Sequence, residues 1–236
     1  MTAKQILKEL KSLGTEATKK TLLRHGAKEP VFGVKVADLK VFQKKIKKDY
    51  QLALDLYDSG NFDAMYLAGL VADETKMTKK DLKKWVKGAY GGWLPAFIVP
   101  WVASESDHGW DLALEWIEAK PEMVCGAGWW TLGSLCAIKA DDDLDLKAFK
   151  QLLKRVAKEL PKEKRNSVRL AMNQLVIAVG SGIRSLTAEA IKIGEKVGPI
   201  EADRGDTACE TPYSPDYIRK IESKGRIGKK RKTARC

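Results

Sequence analysis

Apolar residues recur along most of this chain at steps of three and four, the period of a helix face turned toward a core. Leu7, Leu10 and Leu13 keep the three-residue step through MTAKQILKELKSLG. Gly14 then stops that helix, and Thr15 offers its hydroxyl as the N-cap of the next. Val36, Leu39, Phe42 and Ile46 form a second stripe, and Leu52, Leu56 and Tyr57 a third. Gly60 and Asn61 interrupt the pattern, which resumes as Phe62, Met65, Tyr66, Gly69 and Leu70. Thr78 to Asp81 has the spacing of a capping box and opens a basic helix with Leu82, Trp85 and Val86 inward. Further helices are predicted over 93–103, 110–119, 121–138, 144–160, 162–179 and 186–197.

No segment alternates apolar and polar residues between hairpin signals, so a sheet-based fold is not supported and the expected class is all-α. Many helices of similar length joined by short loops predict stacked antiparallel pairs. The pairs resemble one another weakly, and periodicity by itself leaves both a solenoid and a compact bundle open. The stretch Gly198 to Pro215 is rich in Gly, Pro, Asp and Thr. It predicts a boundary near residue 200, with a helical domain over 1–200 and a loop, short helix and mobile basic tail over 201–236.

Charge sharpens this picture. Residues 217–236 hold nine Lys or Arg against one acid, Glu222, and carry +8 of the chain's +12. A polyanion is the partner such a run attracts, because each neutralised phosphate releases counterions without base-specific contacts. A solvated tail that aids solubility is the plain alternative. Four cysteines without CxxC spacing and two histidines argue against a metal site, and no cofactor is expected. The cysteine usage suits a reduced, cytoplasmic protein, and no apolar run is long enough for a membrane span. With two histidines, a Ser-His-Asp or Cys-His centre is not supported.

Three segments carry a family resemblance. Phe32-Gly33-Val34-Lys35-Val36 runs into a helix with Leu39 and Lys40. Leu56-Tyr57 precedes Phe62-Asp63-Ala64-Met65-Tyr66-Leu67-Ala68. Tyr90-Gly91-Gly92-Trp93 precedes Phe97-Ile98-Val99-Pro100. Together, over roughly residues 4–197, these resemble the AlkD-like alkylpurine DNA glycosylases. The resemblance implies a HEAT-like helical-repeat superhelix, a curved α-solenoid, whose concave basic face holds duplex DNA; a monomer is the default for an open groove that must admit a duplex. It also implies an aspartate just before the Ile-Val-Pro segment, stabilising charge on the deoxyribose as the base leaves. Here Ala96 stands at that place, and Tyr90 to Trp101 contains no acid. The family's arginine after a tryptophan is missing from Trp129-Trp130-Thr131, and a later tryptophan falls near Gln174. An oxocarbenium-like state without a positioned anion loses orders of magnitude in rate. The catalytic residues are therefore unknown, with Asp107, Asp111, Asp203 and Asp206 as carboxylates that could substitute.

The DNA-contacting candidates are Trp93 and Trp129 as stacking surfaces on the concave face, and Arg165, Arg169 and Arg184 as bidentate phosphate clamps. Lys229, Lys230, Arg231 and Lys232 of the tail join them. Most of the seven tryptophans are expected in packing. The Lys80, Lys83, Lys84 and Lys87 stripe is expected on a solvated outer face. Gly126, Gly128 and Gly133 read as close helix–helix approaches, not as a phosphate loop. Gly205 to Cys209 reads as turn punctuation or as a loop folded back on the array. The expected function is binding of duplex, damaged or branched DNA without the usual excision chemistry. An active glycosylase with a relocated carboxylate and a protein–protein scaffold are the alternatives.

Overall fold

The computed structural model describes residues 1–203, 207 and 209–235. Among these there are thirteen α-helices and no strand. In chain order they are α1 (Ala3–Leu13), α2 (Glu16–Arg24), α3 (Val36–Ile46), α4 (Tyr50–Asp58), α5 (Phe62–Val71), α6 (Lys79–Gly88) and α7 (Val99–Glu105). They continue as α8 (Gly109–Ile117), α9 (Glu122–Ile138), α10 (Leu146–Glu159), α11 (Asn166–Gly182), α12 (Thr187–Val197) and α13 (Ser214–Ser223). The predicted starts are capped as their side chains dictate. Thr15 accepts the N–H of Thr18, and Thr78 and Asp81 form a reciprocal capping box. One departure from the expected helices lies at Leu94–Ile98, a π-helical turn leading into α7. Pro100 has no N–H to give a carbonyl one α-turn back. The turn widens so that Val99 donates to Leu94 instead.

From α3 onward the helices form two layers. Helices α3, α5, α7, α9, α11 and α13 each pack on the next, and α4, α6, α8, α10 and α12 each pack on the inner helix that follows. This is the HEAT-like helical-repeat superhelix. The layers explain why some stripes are clear and others are not. Helices α6 and α10 bury one face each, through Leu82, Trp85 and Val86 and through Phe149, Leu152, Leu153 and Val156. All ten residues of α5 are buried, because neighbours cover it on every side. Such helices show no polar face.

Two hydrophobic cores meet near α8 and α9. One holds the helices from α1 to α7, including Ile6, Leu39, Leu67 and Val102. The other holds the later helices, including Trp129, Phe149, Leu175 and Ile218. The expected close approach at Gly128 is present: a Cβ there would lie 2.7 Å from Ile117 N and 2.8 Å from Ala113 O. No side chain but hydrogen lets α8 and α9 come so near.

The loop and first helix of the array are pinned by a buried carboxylate. Asp63, 1% exposed at the start of α5, accepts the backbone N–H of Phe32 at 2.6 Å, Gly33 at 3.3 Å and Val34 at 2.8 Å. Two sequence segments that the family resemblance joins only by order are thus joined by hydrogen bonds.

The basic tail is not a free segment. Ile227 is part of the second core and Ala234 of the first. Between them residues 226–235 run across the ends of α9 and α11. Gly228 N donates to Ser181 O at 2.8 Å and Arg231 N to Ala137 O at 2.7 Å. Arg235, 6% exposed, is the anchor. Its Nη2 donates to Glu74 at 2.8 Å, its Nε lies 3.1 Å from Glu105 Oε2, and its Nη1 donates to Leu70 O and Ala72 O at 3.3 and 3.0 Å. The expected mobile tail is therefore a strap that ties the two halves of the array together. The reason is local: carbonyls left open at helix ends, with two carboxylates beside them, draw in buried cations.

Candidate nucleic-acid interface

The concave side is built mostly by the inner helices and the strap. Its floor is a line of small residues on α9 and α11: Gly133, Ser134 and Ala137 facing Ala178, Ser181 and Gly182. Tyr217, Lys220 and Lys224 from α13 and its end, then Arg226, Lys229 and Arg231 from the strap, form one wall. The enclosed volume is about 630 Å³, with five Lys or Arg and no Asp or Glu in its lining. Short side chains make a trough that a broad partner can enter, while the long cations reach over it.

Ala96, Phe97 and Trp130 line both this trough and an adjoining cavity of about 350 Å³. That second space is an aromatic pit. Trp93, Phe97 and Trp130 line it beside the backbone of Gly91 and Gly92, and Asn166, Ser167 and His25 supply polar edges. The rings brace one another: Phe97 lies 5.5 Å from Trp130, and His25 5.7 Å from Trp93. Gly91 has φ +65°, and a Cβ there would sit 2.4 Å from Gly26 O. Glycine is the residue that position accepts.

The convex side contrasts in charge. Lys79, Lys83 and Lys84 of α6 pair with Asp111 at 2.8 Å, Glu115 at 2.7 Å and Asp58 at 2.6 Å on neighbouring outer helices. Such exposed pairs stabilise little. These three lysines are balanced locally, whereas the trough lining holds five cations and no acid.

The residues singled out from sequence separate into groups. Trp93 lines the pit, Lys229 and Arg231 line the trough, and Lys232 lines a further cleft across the strap. Trp129 does not reach the concave face. It is 1% exposed in the second core, with the Arg155 guanidinium 5.5 Å from its ring. Its neighbour Trp130 takes the concave position. The signal was available: Cys125, Trp129, Leu132 and Cys136 share one apolar stripe, whereas Gly126, Trp130, Gly133, Ser134 and Ala137 share a stripe of small residues.

Arg165 is held by Glu163 at 2.7 Å and by the carbonyls of Ala119 and Lys120 at 3.0 and 3.1 Å. It ties α11 to the α8–α9 loop, and its hydrogen bond keeps the Glu163 carboxyl below the usual carboxylate range. Arg169 is half-buried and lines neither the trough nor the pit. Arg184 donates to Ile227 O at 2.8 Å, fastening the strap. The Lys230 ammonium donates to Cys136 O at 2.9 Å and Gly182 O at 2.7 Å and pairs with Asp141 at 2.8 Å. It caps the ends of α9 and α11 together.

Of the four carboxylates considered as substitutes, Asp203 lines the pit, held through its backbone by Asn166 at 2.6 and 2.7 Å. Asp107 is exposed in the turn before α8, and Asp111 is engaged by Lys79 on the outer layer. Asp206 lies outside the described residues, as does most of the Gly205 to Cys209 segment. Burial pushes the Cys125 and Cys136 thiols up, so neither is a poised nucleophile. Among the described residues no cluster of metal-ligating side chains occurs, and no helix is long and apolar enough to cross a membrane.

The family of DNA alkylation repair enzymes matches residues 6–199, and the chain belongs to it. A solved structure described as a new family of proteins related to the HEAT-like repeat DNA glycosylases, with affinity for branched DNA structures, superposes with a TM-score of 0.92 at 34% identity. That match covers 100% of both chains. Among curated proteins, the uncharacterized protein Lin0241 of Listeria innocua is 28% identical over 229 residues, 95% of this chain and 99% of its own length. The uncharacterized protein Lmo0209 of Listeria monocytogenes matches with the same identity and coverage.

Proposed function

We propose that this protein binds DNA in the cationic trough, favours distorted or branched DNA, and lacks the family's carboxylate-assisted base excision. The observation that carries binding is the trough's five cations with no acid in its lining. Phosphates along a backbone would be met by Lys220, Lys224, Arg226, Lys229 and Arg231, and each contact adds salt-dependent affinity. The aromatic pit beside it suits an unstacked base or an exposed sugar, which distorted DNA offers and intact duplex does not. The neighbouring protein's affinity for branched DNA supports the same preference. Ala96 in the lining of the pit supports the absence of the usual chemistry. We take residues 1–200 as the DNA-holding array and 201–236 as the segment that completes it. A trough of this kind needs no second copy, so we take the protein as a monomer, and we take it as cytoplasmic.

The test measures affinity for a plain duplex and a four-way junction at several salt concentrations, beside release of methylated base from alkylated duplex. Steep salt dependence, tighter junction binding and base release at the catalyst-free rate are expected. Binding indifferent to salt contradicts the reading.

One observation favours a second reading. Asp203 is a carboxylate in the lining of the pit. If it stabilises the departing sugar, wild type releases methylated base and Asp203→Asn does not.

A further inference from the structure

The strap separates the trough from a cleft at the ends of α3, α5, α7 and α9. Arg231 and Lys232 are consecutive, yet Arg231 lines the trough and Lys232 lines a separate cleft of about 670 Å³. Lys44, Lys47 and Lys48 at the end of α3 and Lys139 after α9 bring further cations to that cleft. Its two acids, Glu74 and Glu105, are already engaged by Arg235, and Glu74 also by Lys48. Lys44, Lys139 and Lys232 are exposed and pair with no carboxylate among the described residues. Lys47 holds φ +63°, a backbone conformation that glycine adopts freely and lysine does not.

We propose that this cleft is a second seat for the DNA phosphate backbone, and that it takes a second arm of a branched DNA while the first lies in the trough. The inference rests on the DNA-binding reading above and adds the part that selects branches. Duplex is stiff over lengths far greater than this protein, so a straight piece lies on one side of the strap. A branch point sends two arms in different directions, and the strap stands between them. Once one arm is seated, the other binds from a high effective concentration, and the affinities multiply.

The test is the double reversal Lys44→Glu/Lys139→Glu, measured by fluorescence anisotropy on a labelled four-way junction and on a linear duplex with the sequence of one arm. Junction affinity should fall about tenfold or more, and the salt slope on the junction should fall by roughly two. Linear-duplex affinity should stay within about twofold, since neither lysine lines the trough. Lys44→Arg/Lys139→Arg should behave as wild type. The same charge change on the outer helix, Lys154→Glu/Lys158→Glu, should leave the junction-to-duplex ratio unaltered. Should the double reversal misfold by thermal melting, Lys44→Ala/Lys139→Ala removes the charges more gently and is read the same way. An unchanged junction affinity, an equal loss on both DNAs, or an equal effect of the outer pair overturns the second seat while leaving trough binding intact. A wild-type protein that binds neither DNA overturns both.

Discussion

The carboxylate of Asp63 accepts the backbone N–H of Val34 at 2.8 Å across 29 positions of sequence, together with the N–H groups of Phe32 and Gly33. It is the fixed point from which α5 and the loop before α3 take their relative placement. Asp63→Ala leaves those donors without their acceptor in a buried place. A loss of about 3 kcal/mol or more in urea unfolding is expected. Asp63→Asn keeps the shape and should lose less. Equal stability of the alanine variant would show that water replaces the carboxylate.

Arg235 joins Glu74 and Glu105 to the end of the strap, and its removal leaves Glu105 without a cation and Glu74 with Lys48 alone. A cost of roughly 3–5 kcal/mol is expected for Arg235→Ala, with faster proteolysis within 226–235 as the direct readout. Lysine offers one charge but not the fork, so Arg235→Lys should fall between. Resistance of the alanine variant to protease would mean that the strap stays docked without its anchor.

The same clip makes a pH prediction. Burial raises Glu74, but the hydrogen bond from Lys48 and the charge of Arg235 outweigh it and hold the carboxyl below its ordinary value of 4.5. The unfolded chain therefore takes up that proton first as pH falls. Stability from this carboxylate is whole above about pH 4.5 and is lost as pH drops through the lower folded value. Thermal melting from pH 6 down to about 3 should show wild type losing more than Arg235→Ala.

The two tryptophans singled out from sequence should behave oppositely. Trp129 fills the second core, and Trp129→Ala should cost about 3–5 kcal/mol of stability. Trp93 lines the pit, and Trp93→Ala should weaken binding to DNA with an unpaired base by about 1–3 kcal/mol with a smaller loss of stability. Matched unfolding and anisotropy measurements on both variants separate the roles.

Charge in the trough is checked through salt. Lys224→Ala/Lys229→Ala should weaken plain duplex and junction alike and flatten the plot of log affinity against log salt by about two. An unchanged slope would place the phosphates elsewhere.

Much of the fold was legible because helices such as α6 and α10 each carry one apolar stripe and begin at a side-chain cap, Thr78 and Asp145. Helix α5 was legible by its breakers more than by its stripe, since its whole surface is covered. The π-helical turn before α7 was not, because a proline states where a hydrogen bond is missing and not how the chain widens around it. At the candidate interface, Trp93 and the strap lysines could be picked out by residue type and charge. Trp129 was misplaced because two neighbouring tryptophans on a helix point in different directions, and only the small-residue stripe tells which faces the trough. The strap itself was hidden for a plainer reason. A run of cations looks solvated until its acceptors are known, and Arg235 finds Glu74 161 positions away.

That distance has a consequence for how the protein is made. Residues 226–235 leave the ribosome after both halves of the array, so the fastening is the last part of the structure that synthesis supplies. Until Arg235 emerges, Glu74 and Glu105 face the ends of α5 and α7 without it, and a growing chain cut short before that point would display an unfastened seam to the cell's proteases.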